Sequence, residues 1–64
     1  MTVTKITKGL YEISYTGRTF QVEDIRQASD GELAAGWMLY EIVRGNREYI
    51  NDFGTKRSAI KAIS

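Results

Sequence analysis

Apolar and polar residues alternate with a period of two from Leu10 to Ile25, the mark of half-buried β-strands. Tyr11, Ile13 and Tyr15 fall on one face, Glu12 and Ser14 on the other. Beyond Thr16-Gly17, Phe20 and Val22 alternate with Thr19, Gln21 and Glu23. Folding the chain at Thr16-Gly17 sets Ile13 opposite Phe20, Tyr11 opposite Val22 and Glu12 opposite Gln21. The apolar residues then share a face. That fixes the register, since a one-residue slip would turn every side chain over. Thr-Gly is a weaker two-residue turn than Asn-Gly, so a slightly longer loop is an alternative. Val3 to Lys8 also alternate and predict a first, edge strand.

The alternation stops over residues 26–36, where Ser29 with Glu32 forms a candidate capping box and Gly36 a candidate stop. A loop with one helical turn is the expectation. Trp37 to Val43 and Arg47 to Phe53 then read as two further strands around the turn signal Gly45-Asn46. Their register has two solutions. A two-residue turn pairs Ile42 with Tyr49 and Met38 with Phe53; a three-residue turn pairs Trp37 with Phe53 and Tyr40 with Ile50. Thr55 to Ser64 predicts a helix with Thr55 as N-cap and an apolar stripe of Ala59, Ile60 and Ile63. Such a short helix is marginal alone and must dock on the sheet. The expected fold is α+β: four or five antiparallel strands in a meander, with one C-terminal helix packed on one face.

The 64 residues leave room for a single domain, residues 1–64. Cysteine and histidine are both absent, which removes disulfides, thiolate and imidazole metal ligands, and the usual base-plus-nucleophile pairs. Glu23-Asp24 and Asp30-x-Glu32 are carboxylate pairs without supporting ligands, and no Gly-rich phosphate loop occurs. The expectation is a chain that is not an enzyme and takes no cofactor or metal. Net charge is +1, so there is no strong field for nucleic acid or anionic membrane. The longest apolar stretch, Ala34 to Tyr40, is too short to span a bilayer, and the N-terminus lacks a signal-peptide core. A complete small cytoplasmic protein is the default expectation.

The strand Trp37–Val43 is almost entirely apolar. One helix covers only one face of a sheet, so this strand carries more apolar surface than the helix can shelter. If Met38, Tyr40 and Ile42 face the helix, the open face shows Trp37, Leu39, Val43 and Ile50. The competing reading folds the first strand or the 26–36 loop over that face. With Tyr11, Ile13, Phe20 and Val22 facing the helix, Glu12 and Glu23 border the open face, and the two-residue register adds Glu41, Glu48 and Asp52. An aromatic face with an acidic rim repels phosphate and suits a basic protein surface. The candidate partner-binding residues are therefore Trp37, Leu39, Tyr40, Glu41 and Tyr49. A second copy of the chain is another candidate occupant. The alternative is a nucleic-acid surface built on Arg44, Arg47, Lys56, Arg57 and Lys61, with Tyr40 or Tyr49 stacking on bases.

Gly36-Trp37 and the run Asp52-Phe53-Gly54-Thr55-Lys56-Arg57-Ser58-Ala59 resemble the arm-binding N-terminal domain of phage tyrosine integrases. That family has a Trp in its first strand and a Phe-x-Thr-Lys-x-x-Ala junction into its helix; Trp37, Phe53, Thr55, Lys56 and Ala59 match in order, over fewer than half the residues. The resemblance implies a three-stranded sheet plus helix that docks in the DNA major groove, and an origin in a phage or mobile element. Glu48, Asn51 and Asp52 stand in a strand where the family is rich in Lys and Arg. The expected function is accordingly a small accessory protein that binds and inhibits or modulates a host protein, such as a defence nuclease, in the host cytoplasm. A DNA- or RNA-binding module of integrase-arm type is the alternative.

Overall fold

The computed structural model describes residues 1–25 and 36–64. The strands are β1 (Thr2–Thr7), β2 (Leu10–Tyr15), β3 (Arg18–Asp24), β4 (Trp37–Val43) and β5 (Asn46–Phe53), and the helix α1 spans Lys56–Lys61. The strands form one five-stranded antiparallel sheet in simple meander order, so the chain is a small α+β domain as its alternation predicts. The capping box at Ser29 and Glu32, and the turn around it, fall within 26–35 and lie outside the described residues.

The first hairpin adopts the expected register, with Ile13 opposite Phe20, Tyr11 opposite Val22 and Glu12 opposite Gln21. Tyr15 and Arg18 close a two-residue turn, and no longer loop is needed. Thr16 (φ 50°) and Gly17 (φ 78°) both take left-handed backbone, the type I′ geometry whose twist matches that of the strands. Thr16 donates its hydroxyl to the Tyr15 carbonyl at 2.8 Å. The expected edge strand is present as β1, paired to β2 from Thr2↔Ser14 to Lys5↔Tyr11 and irregular between Lys5 and Thr7.

The second hairpin follows neither expected register near its turn and only the three-residue one, with Trp37 opposite Phe53, at its far end. Val43 pairs with Asn46, so the turn is Arg44-Gly45, one residue earlier than Gly45-Asn46. Arg44 (φ 55°) and Gly45 (φ 82°) repeat the type I′ geometry. This register gives Tyr40↔Tyr49, in place of either expected partner for these tyrosines. At Ile50 a β-bulge absorbs one residue, and beyond it Asn51 pairs with Leu39, Asp52 with Met38 and Phe53 with Trp37. The Trp37–Phe53 pair expected from a longer turn arises instead from the bulge.

Ile13, Phe20, Val22, Leu39 and Ala59 form the buried core, and Tyr11, Trp37, Phe53, Ile60 and Ile63 pack around it. The helix lies across β3, β4 and β5. Its apolar stripe is the expected one, although regular helix ends at Lys61 rather than Ser64. Thr55 is the N-cap: its backbone is extended (φ −136°) and its hydroxyl accepts from the Ser58 amide at 3.1 Å. The supposed orientation of β4 is reversed. Trp37 and Leu39 face the helix, Leu39 only 2% exposed, while Met38, Tyr40 and Ile42 turn to the open face. The ladder dictates this. Tyr11 pairs with Val22 and Val22 with Leu39, so the apolar face of the first hairpin continues onto the odd-numbered residues of β4.

Candidate functional site

On the face opposite α1, the register sets Met38, Tyr40 and Ile42 at the centre, Gln21 and Glu23 on one side and Arg47, Tyr49 and Asp52 on the other. Tyr40 and Tyr49 are direct cross-strand neighbours, their rings edge-on at 5.9 Å and 68°. Such pairs add about 0.5–1.5 kcal/mol beyond the area they bury. Arg47 reaches across β4. Its guanidinium carbon lies 3.9 Å from the centroid of the Tyr40 ring, and its Nη2 donates to Glu23 Oε1 at 3.0 Å. The Tyr40 hydroxyl donates to Met38 Sδ at 3.3 Å. The Tyr49 hydroxyl is hydrogen-bonded to the Asp52 carboxylate, which, with partial desolvation, pushes its pKa up. Gln21 Nε2 donates to Glu12 Oε1 at 3.4 Å. Tyr49 nevertheless remains 55% exposed and Ile50 46%. Among the described residues no pocket opens on either face.

Of the five candidate partner-binding residues, Tyr40 and Tyr49 are brought together on this face. Trp37 lies on the other side, its ring 6.0 Å from that of Tyr11, and Leu39 is core. Glu41 shares their side, opposite Phe20, and is gripped by Arg18 through Nε–Oε2 (2.8 Å) and Nη2–Oε1 (2.7 Å). The hydrogen bond from Arg18 holds the Glu41 carboxyl below its usual range against the opposing effect of desolvation, and the same pairing raises Arg18. Glu48 pairs with Glu41 and therefore also leaves the open face, whereas Asp52 joins it through the bulge. Sequence reasoning missed Met38 and Ile42 as open-face residues. The available signal was the parity carried from Val22 through Leu39.

The candidate phosphate-binding residues are divided. Arg44 sits in the second turn, and Arg47 is committed to Glu23 and Tyr40 on the open face. Lys56 is on the helix side, its ammonium 4.0 Å from the centroid of the Tyr11 ring, and Arg57 and Lys61 are exposed on the helix. The cation–π contact accounts for a lysine at the unfavourable, positive end of the helix dipole.

The chain matches no protein-family model, no curated protein and no solved structure. The resemblance to integrase arm-binding domains rests on the five residues quoted for it. Each has a local task here: Trp37 pairs with Phe53 beside the core, Thr55 caps the helix, Lys56 lies over Tyr11 and Ala59 is fully buried.

Proposed function

We propose that this chain is a non-catalytic protein-binding module whose contact surface is the open sheet face centred on Tyr40 and Tyr49. The observation that carries this reading is the Tyr40–Tyr49 pair itself. Aromatic rings already ordered by a cation, a thioether and a carboxylate are held on a face that α1 does not cover. Pre-ordered aromatic side chains lose little conformational freedom on binding, which is why Tyr is enriched at interface hot spots. Among the described residues, Glu12, Glu23 and Asp52 supply acidic groups at the rim, against the cation Arg47, whose charge Glu23 already engages. That balance favours a basic protein surface over a phosphate backbone. Covering such a surface on an enzyme would inhibit or modulate it.

The test is affinity capture from a bacterial lysate, with and without nuclease, using the wild-type chain and a Tyr40→Ala/Tyr49→Ala variant. A protein retained after nuclease treatment and lost with the double variant is the expected result. Capture that nuclease abolishes, with duplex or single-strand affinity falling steeply with salt, would replace this reading by nucleic-acid binding.

A further inference from the structure

The edge strand β1 stands apart from the rest of the sheet. Every residue from Thr2 to Thr7 is exposed, with Val3 at 46% and Ile6 at 51%, and α1 packs chiefly over β3, β4 and β5. The direction of its backbone groups follows from the ladder. A two-residue turn makes Tyr15↔Arg18 a hydrogen-bonded pair, so Tyr15, Ile13 and Tyr11 address β3 while Ser14 and Glu12 address β1. Thr2 and Thr4, opposite Ser14 and Glu12, therefore bond inward. Val3 and Lys5 turn their N–H and C=O groups outward, away from the sheet.

The other edge is guarded. β5 carries the bulge at Ile50 and the charges of Arg47, Glu48 and Asp52, devices that discourage edge pairing. β1 is Thr-Val-Thr-Lys-Ile-Thr, rich in β-branched residues, with a single charge and no proline. Its regular part ends at Lys5.

From this contrast we infer that β1 is a self-association edge, pairing antiparallel with β1 of a second copy about a two-fold axis at Val3. Val3 then lies opposite its own counterpart and the two exchange both outward hydrogen bonds. Thr2 lies opposite Thr4 of the second copy, and Lys5 lies opposite Met1. The two lysines are kept apart, whereas an axis at Lys5 would oppose like charges. Val3 gains an apolar cross-strand partner, the pairing uses only the regular part of β1, and the two sheets merge into one with both helices on the same side. An isologous contact of this kind closes at the dimer, while pairing of β1 with β5 would propagate into a filament, and the bulged, charged β5 opposes that. The contact is a short edge, small beside standard interfaces, so the dimer is weak and concentration-dependent. It leaves the open face around Tyr40 free, and its test is separate from that of the proposed function.

Sedimentation velocity of the full chain, from micromolar to millimolar concentration, is expected to show a reversible monomer–dimer equilibrium; a monomer throughout overturns the inference. The chain has no cysteine, so single-cysteine variants report the register cleanly. Val3→Cys should crosslink on the order of tenfold faster than Thr2→Cys, Thr4→Cys or Ser64→Cys, because only there do the two Cα atoms meet at disulfide distance. Equal rates at all positions would mean random collision and sink the pairing. Backbone N-methylation at Val3, introduced by total synthesis, removes an outward donor without touching the bonds of Thr2 and Thr4. It should abolish the dimer while leaving the near-ultraviolet signal of Trp37 unchanged. Val3→Glu, which opposes two carboxylates at the axis, should do the same and recover association at high salt. A dimer that survives both changes also refutes the inference.

Discussion

Glu41 has no assignable face until its neighbour across the ladder is known. Read along β4 it is one acid in an apolar strand, a natural rim residue. Set opposite Phe20 and clasped by Arg18, it instead closes the end of the core, with the guanidinium 5.0 Å from the centroid of the Phe20 ring. Its carboxyl is held below the ordinary value of 4.5, chiefly by the hydrogen bond from Arg18. A carboxyl with a depressed folded-state pKa contributes stability that is present above its unfolded value and lost as pH falls through the folded one. Arg18 is raised from an already high value and stays charged throughout. Glu41→Gln is therefore expected to lower the urea midpoint near neutral pH. The wild-type and variant midpoints should converge as the pH drops below 4.5. Midpoints that stay equally separated at every pH would assign the loss to packing rather than to charge.

At the scale of elements, legibility followed the strength of the period. The first hairpin was readable to the residue because Tyr11, Ile13, Phe20 and Val22 alternate strictly with polar residues, so only one register buries them together. The helix cap and stripe were readable because Thr55, Ala59, Ile60 and Ile63 need only local spacing. β4 was not. Trp37, Met38, Leu39 and Tyr40 are apolar in succession, so periodicity gives no preference between faces, and the choice falls to a partner strand distant in sequence. The strand's own pattern therefore leaves Trp37 and Leu39 as eligible for the open face as Met38 and Ile42, and only the pairing with β3 separates them. The bulge was equally hidden, since Ile50 differs from its neighbours in no way that marks an unpaired position. It does allow a sharp expectation. Removing Ile50 leaves Tyr49 opposite Tyr40 and Asn51 opposite Leu39, with every later pair intact. The Ile50 deletion should thus fold cooperatively, whereas deletion of Gln21 would turn Val22 out of the core and should not. Circular dichroism and a urea melt distinguish the two. The straightened β5 edge should also raise the tendency to aggregate, measurable by light scattering.

At the scale of the whole molecule, the six-residue helix and the sheet it packs on depend on one another. An isolated helix below about 12–15 residues is marginal in water. α1 exists because Thr55 caps it and Ala59, 0% exposed, lets its backbone lie close against the sheet. The sheet depends on the helix in turn. Ile13, Phe20, Val22 and Leu39 are buried on the side that α1 covers, and Ala59 is the buried residue the helix contributes. Burying one such large side chain is worth about 1.5–3 kcal/mol, against a net stability of roughly 3–5 kcal/mol for a domain of this size. Uncovering any two of them exhausts that margin. Truncation after Gly54 is therefore expected to unfold the whole domain rather than to leave a free-standing meander. The truncated chain should lose strand signal in the far-ultraviolet and chemical-shift dispersion together, and the intact chain should melt in a single transition seen identically by Trp37 fluorescence and far-ultraviolet circular dichroism. A truncated chain that retained dispersed amide signals would show that the sheet holds itself together, and the helix would then be an ornament on a self-sufficient meander rather than half of its core.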